Sequence, residues 1–186
     1  DLLAAAADAW VPGSPLLARA LALHARLAAA MGDDMRPYLP DVLPRYASLF
    51  AGAERGWGSG SPGGAAAAGA DMVPFALAAL EALGPHIEGH LPLLLPSLVR
   101  LVAPASPGGV PTPVRRAGLG TLRRLLPRLE LAPHASPVLH PLLRLVDTGP
   151  PDLVADAADT FVALAPSLGG GAGGGPAALF VPAFAA

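Results

Sequence analysis

The chain has 186 residues, 53% of them hydrophobic and 14% charged, with a formal net charge of −2, a balance that suits one soluble unit and offers no basic stripe for nucleic acid. Lysine, asparagine, glutamine and cysteine are absent, and Ile87 is the only isoleucine. Thiol catalysis, thiolate metal sites and disulfides are thereby excluded. The excess of alanine and glycine reads as a GC-rich coding bias and carries no functional information.

Before the glycine- and proline-rich end that follows Asp159, every long apolar stretch is broken by Arg, Asp, Glu or paired prolines short of the roughly 18 residues that a membrane span needs. The chain starts at Asp1, with no basic segment leading into an apolar run, so it is expected to be an internal piece of a longer protein.

In chain order, Pro15 to Met31 reads as a first amphipathic helix, followed by LPDVLP from Leu39 to Pro44. Asp71 to Leu83 then precedes LPLLLP from Leu91 to Pro96, and Pro113 to Leu129 precedes SPVLHP from Ser136 to Pro141. Pro151 to Leu168 is a fourth first helix, and LFVP ending at Pro182 is a partial copy of the proline motif. The second prolines stand at 44, 96, 141 and 182. Units of forty-odd residues with two helical segments point to HEAT or armadillo repeats, because tetratricopeptide and ankyrin units repeat at about 34 and 33.

The expected fold is an all-α superhelical solenoid of antiparallel helix pairs. Its expected division is a first unit at 1–51, a flexible Gly/Ser/Ala-rich insertion at 52–70, and further units at 71–104 and 105–149. A truncated unit with a glycine-rich loop at 169–175 closes it at 150–186.

Within the second unit, Leu91, Leu94, Leu95, Leu98, Leu101 and Val102 follow the three- and four-residue steps of a buried helical stripe. Proline is tolerated in a first helical turn, whose N–H groups have no intrahelical partner. One of Pro92 and Pro96 is expected there, and the other just outside the helix or bending it. In the third unit Val114, Gly118, Leu122, Leu125 and Leu129 form the inner stripe, leaving Arg115, Arg116, Arg123, Arg124 and Arg128 to the surface. Arg115, Arg116, Arg123 and Arg124 are the candidate docking face for an acidic partner, with a merely solvated helix face as the alternative.

Other motifs carry less. Gly58 to Gly63 matches G-x-G-x-x-G, but no strand precedes it. His86 and His90 flank Glu88 in an order that zinc proteases do not use, so an interhelix turn with solvated histidines is expected; a small metallohydrolase using His86, Glu88 and His90 is the rival. His134 and His140 have no obvious triad partners. Asp33 and Asp34 are expected to cap a helix start.

Three runs, IEGHLPLLLPSLVRLV (Ile87 to Val102), VRRAGLGTLRRLLPRLELAPHASPVLHPLLRLVD (Val114 to Asp147) and PDLVADAADTFVALAPSLG (Pro151 to Gly169), resemble in order and spacing the HEAT-repeat portion of target of rapamycin kinases. MGDDMRPYLPDVLPRYASLF (Met31 to Phe50) is similar to the preceding repeat of that family. Together these runs span about half of the chain.

The resemblance implies a very large serine/threonine kinase of the phosphatidylinositol-3-kinase-related group, controlling growth in response to nutrients. Its helical repeats would serve as a scaffold for companion subunits and dimerisation, in the cytoplasm or at endomembrane surfaces. ATP and magnesium would belong to a kinase domain elsewhere. D-F-G, the catalytic-loop signature and the phosphate-binding lysine have no counterpart here, so no catalytic, cofactor or metal residue is expected in this segment. A HEAT adaptor unrelated to kinases, such as a transport receptor or phosphatase scaffold, is the alternative.

Overall fold

The computed structural model describes residues 10, 14, 16–58, 71–103, 110–129 and 131–168. Seven α-helices are described: α1 (Leu17–Met31), α2 (Leu39–Gly58), α3 (Val73–Leu83), α4 (Leu91–Val102), α5 (Thr112–Leu125), α6 (Ala135–Thr148) and α7 (Pro151–Leu168). Short 3-10 segments, Gly32–Tyr38, Gly84–His90 and Ala132–His134, lead into α2, α4 and α6. No strand occurs among the described residues.

Two layers result. Helices α1, α3, α5 and α7 pack side by side in one, and α2, α4 and α6 in the other. The layers are joined where each second-layer helix meets the first-layer helix that follows it: α2 on α3, α4 on α5, α6 on α7. The molecule is an all-α solenoid of stacked helix pairs, and its buried apolar side chains form one continuous cluster from Leu17 to Leu164.

The buried stripe expected in α4 is present in full: Leu91, Leu94, Leu95, Leu98, Leu101 and Val102 are all buried. Each such side chain withdrawn from water contributes about 1.5–3 kcal/mol, which is how an α4 of only 12 residues holds its place. Both prolines lie inside this one helix. Pro92 is in the first turn, while Pro96 is in the interior, so the placement of one proline outside the helix does not hold.

Pro96 cannot donate to the carbonyl of Pro92, which loses its helical partner. Both prolines are solvent-exposed, so water can take the donor's place and no buried group is left unsatisfied. Pro40 and Pro44 occupy the same exposed positions on α2.

The turns between layers depend on two glycines. α1 ends at Gly32 (φ 54°, ψ −123°) and α3 at Gly84 (φ 53°, ψ −134°). Only glycine adopts such angles without strain, and the coincidence makes the two ends equivalent positions of successive units. A third glycine serves close packing rather than a turn. A Cβ on Gly118 of α5 would come within 2.9 Å of Val102 Cγ1 on α4, and its absence lets α5 lie close against α4.

Two boundaries differ from the sequence reading. α2 continues to Gly58, past position 52 where the insertion was expected to begin; Ala53, which is buried, anchors the extra turns against the cost of the nearby glycine. The first helix of the third unit stops at Leu125, and Leu126–Arg128 is a 3-10 turn because Pro127 cannot continue the ladder. Residues 59–70 and 169–186, including most of the G-x-G-x-x-G match, the glycine-rich loop and the LFVP copy, lie outside the described residues.

Candidate functional site

The arginine-bearing helix α5 lies between α3 and α7 in the first layer, and each arginine of the expected docking face has a separate fate. Arg115 is buried, not on the surface as expected. Its Nη2 donates to the carbonyl of Ala103 at 2.6 Å, the residue that closes α4. A helix C-terminus presents unpaired carbonyls and partial negative charge, which is why a guanidinium turns inward here. Burial pushes this guanidinium below its ordinary pKa, and its Nε has no hydrogen-bond partner.

The other three remain exposed and reach to neighbouring helices. Arg116 donates from Nε to Asp156 Oδ2 at 2.8 Å and from Nη2 to the Asp152 carbonyl at 3.0 Å. Arg123 lies 3.5 Å from Asp159. Arg124 grips Glu81 of α3 with both arms, Nε to Oε2 at 2.8 Å and Nη2 to Oε1 at 2.6 Å, and Thr121 donates to the same carboxylate at 2.6 Å.

Burial pushes the Glu81 carboxyl up, but the hydrogen bonds from Arg124 and Thr121 and the charge of Arg124 outweigh it and hold the pKa below the ordinary value. The hydrogen bond to Glu81 likewise raises that of Arg124. One further hydroxyl ties α7 to the α5 segment, Ser167 donating to the Pro127 carbonyl at 3.1 Å; the Thr160 hydroxyl donates to the Asp156 carbonyl of its own helix at 2.7 Å and only approaches that of Leu119, at 3.4 Å. The four arginines therefore do not form one free surface; they fasten α4, α3 and α7 to α5.

The His86 to His90 run is the expected interhelix turn, but His86 is not fully solvated. Its side chain is mostly covered, and Nδ1 lies 3.3 Å from Asp33 Oδ1 without hydrogen-bond alignment. Asp33 also pairs with Arg36 at 3.0 Å. Asp33 and Asp34 do stand in the first turn of the 3-10 segment that holds them, where carboxylates suit the helix dipole, but no side chain caps that segment; the Asp33 carboxylate lies between successive turns instead. His90 and His134 stand at the N-caps of α4 and α6, and His140 is exposed on α6. Among the described residues no group of three or more His, Asp or Glu is placed to hold a metal ion, and no helix is long and apolar enough to cross a membrane.

Sequence reasoning missed an aromatic cluster in the first pair of helices. Buried His24 of α1 lies with Nδ1 3.4 Å from the hydroxyl of Tyr46 on α2, and Trp10 packs on both rings, edge-on to Tyr46 at a centroid distance of 5.0 Å. Burial, and secondarily the charge of Arg45, lowers the pKa of His24; burial also raises that of Tyr46. The signal was available: Leu17, Leu21, His24 and Ala28 share one helical stripe.

No family model matches the chain. Similar proteins are the serine/threonine-protein kinases TOR of Arabidopsis thaliana, 31% identical over 176 residues and 91% of this chain, and of Oryza sativa, 30% identical over 155 residues and 83% of it. The kinase mTor of Drosophila melanogaster is 27% identical over 169 residues, 91% of the chain. The chain spans about 6% of the length of each of these relatives.

Proposed function

Because this chain belongs to the target of rapamycin kinase family, matching a small part of each relative, we propose that it serves as a non-catalytic, HEAT-type scaffold of a serine/threonine kinase that controls growth in response to nutrients. The observation that carries this reading is the 31% identity over 91% of the chain, since the similarity runs through the stacked helix pairs as a whole. Each pair would be one repeat, with units at 1–51, 71–104, 105–149 and from 150 onward.

In this reading the segment brings companion subunits together in the cytoplasm, while ATP and magnesium are handled by a kinase domain elsewhere in the parent. It does not itself bind nucleic acid. Arg116, Arg123 and Arg124 would meet an acidic partner by exchanging, respectively, the Asp152 and Asp156 pair, Asp159 and Glu81 for its carboxylates.

The test is made on the full-length gene product. A lysine-bearing ATP site with catalytic-loop and D-F-G motifs is expected downstream. In the purified kinase, removal of this segment should abolish co-purification of companion subunits while phosphorylation of a short peptide persists. A full-length product made only of further helical repeats would place the chain instead with adaptors such as transport receptors or phosphatase scaffolds.

A further inference from the structure

The outward face of α1 differs in kind from that of α5. Leu16, Arg19, Leu23 and Arg26 are all exposed and succeed one another at steps of three, four and three, the spacing of a single helical seam. Leu16 is 54% and Leu23 42% exposed. α1 contains no acidic residue. Among the described residues neither Arg19 nor Arg26 takes part in an ion pair. Each exposed arginine of α5 that faces a neighbouring helix, by contrast, meets a carboxylate.

The neighbouring helix extends this face. Gly32 and Gly84 end α1 and α3 with nearly the same backbone angles, and nine residues before each stand Leu23 and Phe75. α1 and α3 pack side by side, so Leu23 and Phe75 lie at the same level of helices about 8–10 Å apart. Phe75 is 48% exposed. Ala78, also exposed, comes at the level of Arg26 by the same register. The result is a shallow apolar track of Leu16, Leu23, Phe75 and Ala78 edged by two arginines that pair with no carboxylate among the described residues.

We propose that this α1–α3 face docks an acidic amphipathic helix of a partner protein, its aliphatic side chains seated against Leu23 and Phe75 and its carboxylates on Arg19 and Arg26. Charge complementarity selects this occupant. A second copy of the face would set the Arg19 and Arg26 edge against itself, with exposed Asp71, just before α3 and level with Arg19 by the same register, as the nearest acid, so two cations meet two cations with a net repulsion. Two arginines are also too few to hold a nucleic acid backbone against salt. The seam from Leu16 to Arg26 spans about three turns, which sets the length of the docked helix. The proposal rests on the scaffold reading only in taking the occupant to be a protein.

The test uses the whole chain and a fluorescent, end-capped 15-residue helical peptide with leucine at seam spacing and glutamate beside it. Its twin has lysine in place of every glutamate. The glutamate peptide is expected to bind and the lysine peptide not to. The Arg19→Glu/Arg26→Glu variant should bind the glutamate peptide about tenfold or more weakly and gain binding to the lysine peptide. Phe75→Ser should weaken binding of the glutamate peptide and, added to the charge-reversed variant, that of the lysine peptide.

All three side chains are exposed, so unchanged thermal midpoints should accompany these effects. Equal binding of the two peptides, no binding of the glutamate peptide at millimolar concentration, or a chain dimer abolished by Phe75→Ser would each overturn the proposal. None of these outcomes bears on whether the parent carries a kinase domain, and a parent without one would leave this face and its test unchanged.

Discussion

The clamp between Glu81 and Arg124 is the sharpest place to test whether polar contacts hold the stacked helices in register. Its strength is bracketed by two limits. Exposed ion pairs contribute roughly 0.2–1 kcal/mol, whereas breaking a fully buried pair costs about 3–5 kcal/mol. The Arg124 side chain is 57% exposed and that of Glu81 24%, so solvent screening discounts the arginine half. The two-armed geometry and the added Thr121 bond raise the pair above an ordinary surface contact.

A coupling energy of about 1–1.5 kcal/mol is therefore expected from a double-mutant cycle of Glu81→Gln and Arg124→Met. It is measured by urea unfolding at neutral pH. Because the Glu81 pKa is held below its unfolded value of 4.5, the folded state binds the proton less readily than the unfolded one. The contribution is thus complete above about pH 5 and is lost as pH falls through the lowered pKa. A coupling below about 0.3 kcal/mol, or one that persists undiminished at pH 3, would show that apolar packing alone sets the register.

Gly118→Ala should destabilise the chain by about 1–3 kcal/mol, read as a lower urea midpoint, because the new methyl meets Val102 at 2.9 Å. Gly84→Ala should lose about 1–3 kcal/mol for a different reason, backbone strain at φ 53° with open space around the added carbon. His24, with its pKa lowered from the ordinary 6.5, makes folding weaker as pH drops below about 6.5, since the unfolded chain then takes up the proton first. His24→Leu should remove that slope between pH 7 and 5, and an unchanged slope would assign it to another group. Pro96→Ala should raise stability by roughly 2 kcal/mol, the helix-interior cost of proline less the entropy it removes from the unfolded chain; a loss would mean that a proline-shaped backbone is needed for packing.

Much of the helix framework was legible because its signals are local. The stripe from Leu91 to Val102 needs only the helical period, and the start of α7 at Pro151 needs only proline's tolerance for a first turn. The partners of the arginines were not legible in the same way. Glu81 is 43 residues from Arg124 in sequence, and only stacking of α3 on α5 brings them together.

A weaker trace did exist: Asp152, Asp156 and Asp159 recur at steps of four and three, matching the seven-residue interval between Arg116 and Arg123. Two such stripes on adjacent helices could have been paired by inspection. Arg115 left no trace of that sort. Its inward turn depends on the end of α4 arriving beside it, which no pattern within α5 records. The run of α2 to Gly58 was hidden because Gly52 and Gly56 read as breakers, whereas burial of Ala53 supplies the tertiary contact that overrides propensity.

The prolines and the arginines together give the two layers different roles. Pro40, Pro44, Pro92, Pro96 and Pro137 are exposed on the second-layer helices, where a missing donor can be tolerated because water meets the freed carbonyl. In the first layer the charge of α5 is matched between helices: Glu81, Asp156 and Asp159 each meet an arginine. Specific recognition needs donors or charges that the fold has not already matched. By that criterion α5 has little to offer without breaking its own clamps, while Arg19 and Arg26 of α1, which pair with no carboxylate among the described residues, stand beside the exposed Leu23 and Phe75.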